Sequence, residues 1–264
     1  MNYQSVYISI LKTILENRIK KNSSYSLRAF AKSLKTSAGS LSDILKSKRP
    51  LTLEKALAWV DLLGLELNEK EAFLDAVSKD STLRLNQTEK KSRELKEKYE
   101  SYLLRLDQFK LINDWYHFGI LNLTELNEFK SDIKWISEKL KIEKELITEA
   151  INRLKRLGLL EEKDGVLRRS KNNLETSTDI PSEVIRNFHK QNIQRALISL
   201  KDDDVMERDI TSIMMPVDLT KMEEAKKKIK NFRKELAAFL RGKNQDRVYS
   251  LNIQLFPQST ECEK

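Results

Sequence analysis

Only ten of the 264 positions are strong helix breakers, 6 glycines and 4 prolines. That shortage, with the abundance of Lys, Glu and Leu, confines the chain to a mostly helical fold. The length allows two or three compact domains, and a hydrophobic content of 39% is enough for their cores. No stretch approaches the roughly 18 apolar residues of a membrane span. The N-terminus lacks the charged-then-apolar pattern and small-residue cleavage site of a secretory signal. Cys262 is the sole cysteine, which excludes an intrachain disulfide and a cysteine-built zinc site. A cytoplasmic protein without a membrane partner is expected.

Apolar spacing marks out five helices before residue 78. The first carries Val6, Ile10, Leu11, Ile14 and Leu15. Ser26 caps a short second helix with Leu27, Phe30, Ala31 and Leu34 on one face. Thr36 and Ser37 make a turn, and a third helix with Leu41, Ile44 and Leu45 runs to Pro50. Thr52 and Asn68 cap two more. Residues 78–98 are polar, and then Leu95, Tyr99, Tyr102, Leu103, Leu106, Phe109 and Ile112 form an amphipathic stripe. Residues 112–170 read as three helices and a hairpin turning at Asp164-Gly165, with Gly158 ending the third helix. That order is a winged helix. After a polar stretch from Lys171 to Asp179, Pro181 opens another helix. A strand (Asp209 to Val217), a long helix (Leu219 to Leu240) and a strand (Arg247 to Phe256) complete the chain. The expected fold is mainly α: an N-terminal helix-turn-helix bundle (1–78), a linker and long helix (79–111), a central winged helix (112–172) and a small C-terminal α/β module (173–264).

Charge is unevenly distributed. The net charge of +9 and pI near 9.3 favour an acidic partner. Between Lys12 and Arg49 ten basic residues, Arg18 among them, face only Glu16 and Asp43. Between Pro50 and Val77 the sign reverses, with six acids against Lys55 and Lys70. A domain with one basic face suits binding to phosphates with a defined side.

Leu27 to Lys46 fits a helix-turn-helix. Ala31 is the small residue where two helices cross, with Phe30, Leu34, Leu41 and Ile44 at the apolar crossing positions. The third helix begins with slim side chains, which let its N-terminal end approach base edges in a major groove. Ser37, Ala38, Ser40, Ser42 and Asp43 are the candidate base-facing residues. Arg28, Lys46, Lys48 and Arg49 are the candidate phosphate-facing residues that fix docking register. One short helix contacts too few bases to find a site in a genome, so a homodimer on a two-fold operator is expected.

The passage YSLRAFAKSLKTSAGSLSDILKSKRPLT (Tyr25 to Thr52) resembles the lambda-repressor-like helix-turn-helix proteins. Together with WISEKLKIEKELITEAINRLKRLGLLEEKDG (Trp135 to Gly165), ERDIT (Glu207 to Thr211) and VYSLNIQLFPQS (Val248 to Ser259), it is similar to a family of bacterial presumed transcription regulators with an uncharacterised C-terminal domain. The resemblance implies double-stranded DNA as partner and transcription regulation as function. The lambda-repressor-like turn has glycine where Lys35 stands, so a strained or altered turn is expected there.

Other readings carry less. The winged helix has Arg153, Lys155 and Arg156 on its last helix and Lys163, Arg168 and Arg169 on its wing, but five glutamates interleave with them. Dimerisation or scaffolding suits it better than reading DNA. His117 and His189 stand alone, as surface or satisfied core residues. Asp202, Asp203 and Asp204 lack the glycine and distal glutamate of a calcium loop. No phosphate-cradling loop, nucleophile elbow or metal-ligand spacing occurs, so neither a cofactor nor an enzymatic role is expected. The alternative to a regulator is a protein-binding adaptor using the stripe from Leu95 to Ile112 and the C-terminal domain. An exposed patch of Tyr102, Leu106 and Phe109 in the dimer would favour it. A third reading is a ligand-sensing regulator with the C-terminal domain as sensor for a small-molecule or protein effector that nothing in the sequence names.

Overall fold

The computed structural model describes residues 3–84, 89–170 and 182–260. It is mainly helical, with one two-stranded sheet among the described residues. The polar stretch from Lys171 to Asp179, the helix start at Pro181 and Cys262 lie outside them. No described helix is long and apolar enough to cross a membrane. The chain divides into two compact units, Met1–Asp107 and Gln108–Lys264.

The first unit holds α1 (Tyr3–Lys21), α2 (Leu27–Ser33), α3 (Ala38–Leu45), α4 (Leu53–Trp59), α5 (Leu67–Arg84) and most of α6 (Glu89–Asn113). Three of its short helices start on hydroxyl caps. Ser26 Oγ accepts from the Ala29 amide at 3.3 Å, Ser37 Oγ from Ser40 at 3.2 Å and Thr52 Oγ1 from Lys55 at 3.4 Å. Each satisfies one of the orphan amides of a helix start, worth about 1 kcal/mol. Helix α5 starts at Leu67, before the expected cap at Asn68. There the Glu69 carboxylate reaches back to accept from the Glu66 amide at 2.9 Å. Tyr7, Leu11, Phe30, Leu41, Ile44 and Phe73 are buried at the centre of the core. The buried Tyr7 hydroxyl donates to Asp80 at 3.0 Å and accepts from the Leu51 amide at 3.4 Å, so its polar tip is satisfied.

The second unit begins within α6 and continues with α7 (Tyr116–Leu123), α8 (Ile133–Leu140) and α9 (Lys144–Arg156). The strands β1 (Leu160–Lys163) and β2 (Val166–Arg169) follow, then α10 (Ser182–Asp202) and α11 (Met222–Leu240). Gly158, at φ 66°, ends α9 in the left-handed region. Asp164 and Gly165, at φ 53° and 74°, form the primed turn that matches strand twist. β1 and β2 pair antiparallel with Leu160 opposite Arg169 and Lys163 opposite Val166. Ile120, Ile136, Ile147, Ala150 and Leu154 are buried together beneath this hairpin, with Leu160 and Leu167 contributed by the strands.

The C-terminal α/β module is corrected by the structure. Residues 209–217 and 247–256 are extended but belong to no strand ladder. A strand is held by backbone pairing and by burial of at least one face. These segments have neither: Ile213, Met214, Tyr249 and Leu251 are all exposed, although their flanking helix α11 is present as expected.

Candidate functional site

Helices α2 and α3 pack on each other across Ala31, which is buried with Phe30, Leu34, Leu41 and Ile44. The turn between them uses a left-handed residue. Lys35 has φ 53°, and the Thr36 amide behind it donates to Ala31 O at 3.0 Å. The altered turn expected at Lys35 is therefore an αL residue with a side chain, a conformation costing about 1 kcal/mol that glycine avoids. Helix α3 does not reach Pro50. It ends at Leu45, where Ser47 turns left-handed at φ 61°. The amides of Lys48 and Arg49 then donate to Asp43 O at 2.8 and 3.2 Å. This folds the basic tail back over the end of the helix.

The candidate residues divide into two groups. Ser37, Asp43, Arg28, Lys46, Lys48 and Arg49 are exposed. Ala38, Ser40 and Ser42 are half-buried; Ala38 packs against the core, and Ser40 Oγ accepts from Lys55 Nζ at 3.4 Å. The Ser37 oxygen is engaged in its cap. Among the described residues no acidic side chain pairs with Arg28, Lys46, Lys48 or Arg49, so their charges are directed to solvent. Asp43 lies on the same exposed stretch as the one local carboxylate.

Two residues were misplaced or missed by sequence reasoning. Arg18 is not part of a basic face. Its guanidinium donates to Tyr25 Oη at 3.0 Å, Ser33 Oγ at 3.1 Å and Leu62 O at 3.1 Å, and lies over the Phe30 ring. It ties α1, α2 and the end of α4 together. Its position seven residues past Leu11, on the apolar stripe, is the signal that marks it as inward. Lys55, which points to the start of α3, was not singled out; its place in the first turn of α4 gives no such signal.

The basic residues of the second unit are engaged differently. Arg153 is 4% exposed and sits 3.0 Å from His117 Nε2, while His117 Nδ1 lies 2.9 Å from Asp114 O. A ring that donates from Nδ1 and accepts at Nε2 satisfies both contacts, so His117 is a core histidine. Beside it, burial and then the Asp114 carboxylate push the Tyr116 hydroxyl well above its ordinary range. Lys155 pairs with Glu162, Lys163 with Glu161 at 3.2 Å, and Arg169 with Glu125 at 2.6 Å. His189 is exposed on α10.

The patch that would favour an adaptor is absent as such. Leu106 is buried, and Tyr102 is half-buried with its hydroxyl donating to Asp61 at 2.6 Å. Asp61 also accepts from Lys70 at 2.9 Å and Arg105 at 3.5 Å. Burial raises the Asp61 carboxyl, but hydrogen bonds from Tyr102 and Lys70 and the charges of Lys70 and Arg105 outweigh it. The group is held below the usual carboxylate range. Among the described residues no group of three His, Cys, Asp or Glu side chains is placed to hold a metal ion.

A family model described as a domain of unknown function (DUF4423) matches residues 86–257. That span contains α6 to α11 and the segment 247–256 and does not include α1–α5. No curated protein and no solved structure matches the chain.

Proposed function

The chain belongs to the DUF4423 family, and we propose that it is a sequence-specific double-stranded DNA-binding transcription regulator, acting as a homodimer. Helices α2 and α3 are its helix-turn-helix. The observation that carries the reading is the surface around α3: slim residues at its start, and Arg28, Lys46, Lys48 and Arg49 exposed around it without acidic partners among the described residues. Unpaired cations at the start of α2 and on the tail that follows α3 are what a phosphate backbone attracts. Counterion release then supplies sequence-independent affinity. Ser37, Ser40, Ser42 and Asp43 are assigned to base edges, with Ala38 setting the close approach of the helix. The half-burial of Ser40 and Ser42 places them nearer the helix crossing than Ser37 and Asp43, so the latter two lead the assignment.

In this reading α8, α9 and the hairpin are a winged helix with a scaffolding role. With Arg153 buried and Lys155, Lys163 and Arg169 ion-paired, Arg168 is the exposed cation left on its wing, which makes it a weak phosphate binder. The protein is assigned a binding role, with no catalysis and no cofactor.

Replacing Lys48 and Arg49 together with alanine tests the assignment. Binding to every DNA sequence should weaken, and the slope of log affinity against log salt should fall by about 2, roughly 0.9 per phosphate contact. An unchanged slope contradicts it. Asp43→Ala should instead change which sequence is preferred.

A further inference from the structure

The described residues expose twenty-nine large hydrophobic side chains, and twenty-one of them fall between Ile185 and Phe256. Elsewhere the described residues bury most of their apolar side chains in two cores, but in this stretch the only buried residue is Asn192. Scattered exposed apolar residues are ordinary, whereas a contiguous set marks a surface that something covers.

The exposed set is organised. Along 247–256, Tyr249, Leu251, Ile253 and Leu255 alternate with Ser250, Asn252 and Gln254, the period of a strand with one buried face. Along α11, Met222, Ala225, Ile229, Phe232, Leu236 and Phe239 recur every three or four residues, yet no residue of this helix is buried. The two extended segments run in the same direction on either side of α11 in sequence. Arg247 pairs with Glu207 at 2.9 Å near their starts, and further along Leu255 lines one apolar groove with Met215, Val217 and Met222. Among the described residues no backbone hydrogen bond joins the segments; the chain tethers them only through Asn127 N to Gln245 O at 3.1 Å and the packing of Val248 on the core. These are two extended segments flanking a helix, with no ladder between them.

We propose that residues 185–256 form the surface on which two copies of this chain associate, the extended segments of each copy completing a shared sheet with those of the other and the α11 stripe closing over it. The inference deepens the homodimer of the proposed function and rests on that reading for its stoichiometry. Three features select a second copy as the occupant. The first is area. Phe232, Phe239 and Tyr249 expose 51%, 83% and 65% of their surfaces. At roughly 200 Å² per aromatic side chain, these three alone offer on the order of 400 Å². With the aliphatic residues the face reaches the roughly 800 Å² per partner of a stable association. The second is backbone chemistry: extended segments with unpaired amides and carbonyls are completed by a segment of matching alternation, and a second copy carries that alternation by construction. The third is charge. Residues 202–209 carry five acids against Arg208, and α11 carries six basic residues against three acids. A surface with both signs meets its complement twice when paired with itself about a two-fold axis.

The test uses the full chain without DNA, so that a failure here is distinct from a failure of DNA binding. Sedimentation or light scattering should give about twice the 30.9 kDa chain mass at micromolar concentration. Phe239→Glu with Leu251→Glu, both at exposed positions, should raise the dimer dissociation constant at least 100-fold. Leu104→Glu, on the exposed side of α6, should leave it unchanged. Hydrogen exchange of the unmodified chain covers the case of a variant that does not fold. Amides of 209–217 and 247–256 should be protected above the dissociation midpoint and exchange freely below it. A monomer at 100 µM, a dimer broken by Leu104→Glu but not by the double variant, or protection independent of concentration would each overturn the proposal. A chain that dimerises in this way yet ignores DNA leaves the inference standing and removes only the DNA reading.

Discussion

The basic residues flanking α3 and most of those along α9 and the β1–β2 hairpin are held in opposite ways. Arg28 at the start of α2 and Lys46, Lys48 and Arg49 just past α3 stand in solvent with no acidic partner among the described residues. Along α9 and the β1–β2 hairpin, Arg153 is buried against His117, and Lys155, Lys163 and Arg169 are paired with glutamates. Local sequence charge is therefore a poor guide to an electrostatic surface. What counts is whether the fold supplies a carboxylate or a buried acceptor within reach. A paired lysine must give up its partner before it can hold a phosphate, and an exposed unpaired one releases only counterions.

The contrast can be broken most severely at Arg153. Arg153→Ala removes a buried cation, its hydrogen bond to His117 and the packing of its aliphatic stem. It should lower the stability of the second unit by about 3 kcal/mol. Urea unfolding followed by tryptophan fluorescence reads this, and an unchanged midpoint means that the arginine is not structural. A smaller effect is expected at Lys48 and Arg49: the double alanine variant should keep full stability and lose about tenfold in DNA affinity, or 1.4 kcal/mol. Lys155→Ala with Lys163→Ala is the matched control. It should leave DNA affinity within a factor of two, and an equal loss in both variants would erase the distinction between the units.

Two smaller effects sharpen the account of the first unit. Lys35→Gly relieves the side chain at φ 53° in the α2–α3 turn and should raise the urea midpoint, by a few tenths to about 1 kcal/mol. A fall would mean that Lys35 is held by something other than backbone conformation. At Asp61 the folded carboxyl titrates below its unfolded value. Its contribution is present above the unfolded value of about 4 and is lost as pH falls through the lowered folded one. Asp61→Asn should therefore reduce stability at neutral pH and flatten the acid side of the stability profile below about pH 4. The effect should be small, because the side chain is half exposed. A profile with an unchanged acid limb contradicts the network with Tyr102, Lys70 and Arg105.

Much of the fold was legible because it is local. Ser26 and Thr52 cap helices as their sequence contexts suggest, and Asp164-Gly165 turns the hairpin, because caps and primed turns are settled by a few adjacent residues. The end of α3 was misread: Pro50 is the visible breaker, but Ser47 adopts a left-handed conformation three residues earlier, which no residue type announces. Arg18 and Arg153 were read as surface charge because their acceptors lie far along the chain, at Leu62 and His117. In each case the helical period already placed the arginine on an apolar face, so the pattern outranks the charge. The C-terminal strands were legible as alternation but not as a sheet. Alternation says which face seeks burial and nothing about what supplies the burial.

The most direct test of the central claim is retention of random genomic DNA fragments on the purified full chain at two salt concentrations, with sequencing of what is kept. The account predicts enrichment of a two-fold symmetric site, with retention falling steeply as salt rises. No retention at low salt would contradict it.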